Sequence, residues 1–545
     1  MYKILILITL TIFSITLNAK DDKPKRPISE KIKFRKAKTC FLDRNYEGAI
    51  IYYKELLFDN KKDAEINYLL GEAYLEKGDY NSAKLYISTA YSIDPKANPN
   101  IELYMGRIFQ YFEEYDKALQ SYEAFKSKLT YKTIKKEEGI LVFKLIKQCE
   151  FIKEQLANPK NVTISNLGPA INSEFSDNHP SMTADGSTMI FTSRRSDSEG
   201  GLIASDGEYY QDIYITTFDN EKGMWNIASK IPGSVNTPGH DANCSISPDG
   251  TKIFTFQNLN AKGGDIFVSK YKYSGSWTKP KELDKPINST YYDDYACLSS
   301  DGNTLYFVSE RKKNFGKGDL FKTNYLKDKK EWSKPVNAGG IINSEESEIS
   351  VFIHPDGKTM FFSSKGHKNM GGFDIFMSTR DEKGEWTKPV NLGYPINTSK
   401  DEKHFVISTD WKTAYYTTNG REDSYGKDDI YEIDMTKYFG IKEEVVVKEE
   451  VKRKLSIVRG KVVEANDGTG VQAVLRFVDV ATNQEVAEIN ANESGEYFVT
   501  LESMKKYKII VEQDNYKTVT EEIDLPEGDK GTYSLVKHII IEKNQ

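Results

Sequence analysis

Between residues 30 and 157, apolar side chains recur at i, i+3 and i+4, the spacing that predicts one face of a helix. From 160 to 435 the pattern changes to short runs that alternate apolar and polar, which predicts strands. Residues 436–454, TKYFGIKEEVVVKEEVKRK, carry charge without a helical stripe and predict a charged, exposed linker. Alternation returns over 455–545 in LSIVRGKVV, VLRFVDV, GEYFVTL, YKIIVEQ and HIIIEK, and predicts a small β-sandwich of about seven strands. Ahead of all these stand residues 1–19, MYKILILITLTIFSITLNA, with one Lys, an apolar run and Ala19 before Lys20-Asp21-Asp22. That layout predicts a secretory signal peptide cleaved after Ala19. The run from Ile4 to Leu17 is short for a bilayer. No Cys follows it as a lipid anchor, since the first is Cys40. No transmembrane segment is expected after cleavage.

The helical zone repeats. Ala37, Gly71 and Gly106 form one column of small residues, and Ala49, Ala83 and Ala118 form a second at the same spacings. Small residues at two fixed places let paired helices approach closely. A period near 34 residues means units that bury their apolar faces only by stacking on one another. A last helix near Lys135–Leu156 is expected to cap the stack.

The strand zone repeats as well. Asp185-Gly186, Asp249-Gly250, Asp301-Gly302, Asp356-Gly357 and Asp410-Trp411 each sit between two apolar runs, the signal of a hairpin. A short strand opened by Asp follows each turn, at Asp212, Asp265, Asp319, Asp374 and Asp429. Trp-x-Lys-Pro then stands at Trp277, Trp332 and Trp386, and the first unit has Trp225 there. Four strands per unit in five units predict a five-bladed β-propeller. The fifth unit ends at Met435 without its outer strand, so Val162–Asn166 is expected to supply it and close the ring.

Aligned on their turns, the five units share an acidic residue eight positions earlier: Asp177, Asp241, Asp293, Glu348 and Glu402. Two residues on stand His179, Asn243, Tyr295, Ser350 and His404. Strict alternation would put both columns on one face of the first strand, the one lining the central channel. Five carboxylates around one channel mouth would need a bridging cation or a basic peptide. The alternative is that each caps backbone N–H groups of a neighbouring blade, or pairs with Arg194, Arg195, Arg311 or Lys365. The Asp residues opening the third strands read as ties for their Gly-rich loops, with a calcium loop as the other reading. The tryptophans read as blade packing.

Composition narrows the function classes. The net charge is −6, which argues against a nucleic-acid binder steered by charge. Four cysteines in 545 residues (Cys40, Cys149, Cys244, Cys297) exclude a disulfide scaffold and are expected to be buried free thiols. No His-Glu-x-x-His, Cys-x-x-Cys, Walker loop or Gly-x-Ser-x-Gly occurs, and the six His lack ligand spacing. No cofactor is expected, and the chain reads as a non-enzyme.

Three resemblances follow from these motifs. Leu70, Gly71, Tyr74, Ala83, Ala90 and Pro95, with YLEKGDYNSA, resemble the tetratricopeptide (TPR) family over about three repeats. SISPDGTKIF, FIHPDGKTMFF and the Asp-Ile-Tyr/Phe strands resemble the WD40-like PD40 propeller repeats also found in TolB. VRGKVVEANDGTGVQA, NESGEYFVTL and YKIIVEQDNY resemble the carboxypeptidase regulatory-like domain, an accessory sandwich. In this order the set resembles multi-domain envelope proteins of Bacteroidetes, including an accessory protein of type IX secretion. The resemblance implies an N-terminal TPR superhelix over 30–157, a propeller over 160–435 and a sandwich over 455–545. It implies an exported protein of the periplasm, or of the periplasmic face of the outer membrane, that binds envelope proteins through the TPR stack and the propeller. Relatives usually carry an OmpA-like domain after the sandwich. None is present before Gln545, so direct peptidoglycan binding is not expected. The alternative function is an enzyme, or a ligand- or carbohydrate-binding protein, that uses the propeller channel.

Overall fold

The structure is a computed structural model that describes residues 26–440 and 454–544, apart from 205–206, 261–262, 273, 313, 327 and 529–531. The leader expected at 1–19 and most of the linker expected at 436–454 lie outside the described residues. The chain forms two compact units, Met1–Phe143 and Lys144–Gln545.

The first unit is helical: α1 (Ile28–Leu42), α2 (Tyr46–Asp59), α3 (Ala64–Lys77), α4 (Tyr80–Ile93), α5 (Ile101–Tyr111) and α6 (Tyr115–Ser127). A further helix, α7 (Glu137–Ala157), begins in this unit and ends in the second. Local chemistry sets the boundaries. The side chains of Asn45, Asp63 and Asp79 accept from the N–H groups of Gly48, Ile66 and Ser82, so each caps a helix start. Gly78 ends α3 in the left-handed region at φ 91°. The helices pack in pairs, α1 with α2, α3 with α4 and α5 with α6. Ala37, Ala49, Ala83 and Ala118 are wholly buried. A Cβ on Gly71 would run into Cγ1 of Ile87, and one on Gly106 into the ring of Tyr122. Both small-residue columns are therefore places where paired helices touch.

The second unit is mostly strands. Five antiparallel sheets begin with Asp177–Met182, Asp241–Ile246, Asp293–Leu298, Glu348–Ile353 and Glu402–Ile407. These first strands touch in cyclic order, the fifth returning to the first. The outer strand of the fifth sheet is Thr163–Asn166, which pairs antiparallel with Asp428–Asp434 from Thr163↔Asp434 to Asn166↔Tyr431. The two ends of the ring's sequence thus meet in one sheet, and the ring closes through backbone hydrogen bonds. Each hairpin turn puts one residue in the left-handed region. Glycine takes that place in four sheets, at φ 66–71°, and Trp411 takes it in the fifth at φ 64°. Trp411 bears that conformation while buried against His354, the ring centroids 4.2 Å apart.

Residues 455–541 form two four-stranded sheets around one core that includes Phe477, Val499, Ile509 and Leu525. The long strand Leu455–Glu464 pairs antiparallel with Glu496–Glu502 and parallel with both Tyr533–Val536 and Ile539–Ile541. Thr500 Oγ1 donates to the carbonyl of Pro355 at 2.6 Å, and Arg459 lies 3.5 Å from Asp185. These sheets therefore rest on the hairpin turns of the ring. Among the described residues, no helix is long and apolar enough to cross a membrane.

Candidate functional site

The acidic column is wholly buried: Asp177, Asp241, Asp293, Glu348 and Glu402 have no exposed surface. Each carboxylate bonds the Ser or Thr four residues before it. Asp293 accepts from the N–H (2.7 Å) and Oγ (2.6 Å) of Ser289, and Glu402 from the N–H (2.9 Å) and Oγ1 (2.6 Å) of Thr398. Ser173, Thr237 and Ser344 do the same for Asp177, Asp241 and Glu348. The remaining capacity goes to the sheet's second strand or just beyond it. Arg195 donates to Asp177 at 3.1 Å and Arg311 to Asp293 at 2.6 Å. Gln257 serves Asp241, Ser364 serves Glu348, and Thr418 serves Glu402. The clip therefore joins each acid to the loop entering its own strand. Arg194 pairs instead with Glu208, and Lys365 lies over the ring of Phe373.

Burial has an electrostatic consequence. It pushes Asp177 and Asp241 above the usual carboxylate range, and pushes Glu348 and Glu402 up to about 7, against the pull of the hydroxyl and N–H donors. Among the described residues, no three His, Cys, Asp or Glu side chains gather where a cation would be held.

In four sheets strict alternation between the two columns is broken, because the first strand shifts register across the second column, as between Asn178 and Ser181 in the first sheet and between Lys403 and Val406 in the fifth. In the second sheet Asp241 and Asn243 stay in register and the shift falls after Asn243. At the bulge His179, Tyr295, Ser350 and His404 take positive φ, from 44° to 59°. It is this second column that converges. The rings of His179 and His404 stack with centroids 4.0 Å apart, and Tyr295 lies 5.3 Å from His179 and 5.9 Å from His404. Three rings from the first, third and fifth sheets thus meet on the axis. Burial, then the neighbouring His179, hold His404 well below the ordinary histidine range, so it is neutral. A cavity of about 30 Å³, lined by His179, Ser245, Ser350, Phe352 and His404 among others, adjoins them and has room for about one water.

A third column goes unremarked by motif reading. Asn172, Asn236, Asn288, Asn343 and Asn397 each stand just before the Ser or Thr of the clip. Each carboxamide bonds both backbone groups of one residue, as Asn397 does with the N–H and C=O of Ile375, both at 2.8 Å. Ile430, Ile213, Ile266 and Leu320 are held likewise. The recurring [Ile/Val]-Asn-[Ser/Thr] four residues before each acid is the signal that would have found it.

The third-strand aspartates tie loops. Asp319 accepts from the N–H groups of Phe315 and Gly316, and Asp429 from those of Tyr425 and Gly426. Asp374 accepts from Met370 N–H, and Asp212 from Glu199 N–H. Burial pushes Asp212 up to about 6 and Asp265 upward as well. Trp225, Trp277 and Trp386 are buried among the sheets. Cys149 and Cys297 are buried free thiols, while Cys40 is free and half-buried.

The helical unit holds a separate polar row. Tyr68, Glu72 and Glu76 lie at four-residue spacing on α3, opposite Tyr104 and Arg107 on α5. Tyr68 Oη donates to Glu72 at 3.4 Å, the two tyrosine rings meet edge-on at 5.6 Å, and Arg107 reaches Glu76 at 2.9 Å. Burial raises the Glu72 carboxyl above its usual range, against hydrogen bonds from Tyr104 and Tyr68.

No family model matches the chain, and no curated protein matches it. Among solved structures it is similar to the type III secretion translocator chaperone SycD of Yersinia enterocolitica, at 18% identity and a TM-score of 0.21, covering 23% of this chain and 85% of that one. It is similar to a TPR domain from Arabidopsis at 16% identity and a TM-score of 0.20, covering 23% and 95%. It is also similar to a putative TolB from Agrobacterium tumefaciens at 11% identity and a TM-score of 0.29, covering 63% and 97%.

Proposed function

We propose that the chain is a non-enzymatic scaffold of the bacterial cell envelope, built from a TPR stack, a five-bladed propeller and a small β-sandwich. The protein is exported and works in the periplasm or on the periplasmic face of the outer membrane. The TPR stack takes one envelope protein and the propeller another, while the sandwich is a spacer or a further contact. The assembly it fits best is one of outer-membrane or type IX secretion complexes in Bacteroidetes.

The observation that carries this reading is the division of labour among polar residues. The repeated acids and asparagines of the ring are used up within it, each acid bonded to the loop entering its own strand and each asparagine to the third strand of the neighbouring sheet. The row on α3 and α5 differs: Glu76 and Arg107 keep about a third and a quarter of their side-chain surface exposed while bridging consecutive helix pairs. Aromatic rings with partly exposed charges of both signs suit an extended segment of a partner protein. Affinity capture from envelope fractions, followed by mass spectrometry, tests the reading. Recovery of specific envelope proteins is expected, and recovery of none counts against it.

A second reading rests on the axial rings. Strained, buried His179 and His404 face a cavity with room for about one water, which suits a ligand of only a few atoms. Binding of a small molecule that is lost in His404→Asn would favour it.

A further inference from the structure

The loop between α6 and α7 has no part in the scaffold reading. Lys128 to Lys136 carry Lys132, Lys135 and Lys136, with Tyr131 79% exposed and Ile134 37% exposed. Ile140, at the start of α7, is 62% exposed.

This loop is built rather than slack. The N–H groups of Thr133 and Ile134 both bond the carbonyl of Thr130, at 3.0 and 2.9 Å, and Lys136 N–H bonds the carbonyl of Thr133 at 3.0 Å. Thr130 N–H also reaches Thr133 Oγ1 at 2.7 Å. The back of the loop lies on Gly139, where a Cβ would stand 2.5 Å from the carbonyl oxygen of Thr133 and 2.7 Å from that of Ile134. Only glycine lets the knuckle close on the first turn of α7.

Charge and apolar surface then sit on one small projection. Lys135 Nζ donates to Tyr131 Oη at 3.0 Å and lies 4.4 Å from its ring centroid. Lys126 and Lys128 pair with Glu123 and Glu102. Among the described residues, Lys132, Lys135 and Lys136 have no carboxylate partner. Glu137 and Glu138 occupy the first turn of α7, where the helix dipole favours them.

We propose that this knuckle docks on an anionic lipid surface. Tyrosine rings settle at headgroup level, aliphatic side chains enter just below, and lysines bond lipid phosphates. An acidic protein segment would satisfy the lysines and leave Tyr131 and Ile134 in water. The proposal is independent of the scaffold reading, since it needs only this loop to meet a membrane.

The test is co-sedimentation of the chain beginning at Lys20, so that the apolar run of 4–17 is absent. Vesicles of phosphatidylcholine doped with phosphatidylglycerol should bring it down, and phosphatidylcholine alone should not. The triple variant Lys132→Gln, Lys135→Gln, Lys136→Gln should lower vesicle affinity on the order of a hundredfold while leaving the circular dichroism spectrum unchanged. Gly139→Val keeps every charge but displaces the knuckle, and should also weaken binding. No sedimentation with anionic vesicles, or equal sedimentation of the triple variant, would overturn the proposal. So would binding to soluble polyglutamate with vesicles ignored, which would assign the loop to an acidic protein segment.

Discussion

The Glu402 carboxylate and Thr398, four residues apart, hold each other twice, through the threonine N–H at 2.9 Å and its hydroxyl at 2.6 Å. The same clip recurs at every first strand of the ring, and it makes an acid that looks like a ligand into part of the frame.

Glu348 and Glu402 are pushed up to about 7 by burial, whereas a glutamate in the unfolded chain titrates near 4.3. The folded state thus binds these protons more tightly. The stability they confer is complete below about pH 4.3 and is lost as pH rises through about 7. Between about pH 5.5 and pH 7 each carboxyl should cost on the order of 2 kcal/mol, which Glu348→Gln and Glu402→Gln should remove. Urea midpoints of variants and wild type across this range check it. Parallel pH profiles would contradict it.

His404 has the opposite sign. Burial holds its folded value well below 6.5. Its contribution is therefore whole above about pH 6.5 and is lost as pH falls below that value. His404→Asn, which tolerates the left-handed backbone at φ 57°, should flatten the acid limb of the same stability curve. A limb as steep as wild type would show that the ring is not buried neutral.

Asn397→Ala should be among the most damaging single changes in the ring. It leaves the N–H of Ile375 buried without its partner, while the C=O of Ile375 keeps the N–H of Leu392 at 3.1 Å. One such orphaned group costs about 1–3 kcal/mol. Denaturant unfolding followed by tryptophan fluorescence measures the loss.

In the helical unit, Gly106→Ala sets two effects against each other. Alanine gains about 1 kcal/mol of helix propensity. Its Cβ would meet the ring of Tyr122, which is buried and anchored by a 2.7 Å bond from its hydroxyl to Gln110, so the ring cannot swing away. Overpacking costs about 1–3 kcal/mol and should win. A melting temperature above wild type would show that the ring yields.

Much of this was legible in the chain. The spacing of Ala37, Gly71 and Gly106 marks where helices touch, and the five Asp turns mark five sheets. The direction of the acids was not legible. A bulge with His179 or His404 in the left-handed region carries no glycine to announce it, and one added residue breaks period-two alternation. The row of Tyr68, Glu72 and Glu76 facing Tyr104 and Arg107 escapes the sequence for another reason: its members lie on two helices, and only packing brings them together.

The central claim is that partners dock on the helical stack while the polar columns of the ring are structural. The most direct measurement is quantitative capture from envelope fractions by wild type and by Arg107→Glu, which turns the Glu76 pair into a repulsion. At least one envelope protein is expected to be depleted by about tenfold or more, with the melting of the ring unchanged. Equal recovery of every partner by the variant would contradict it.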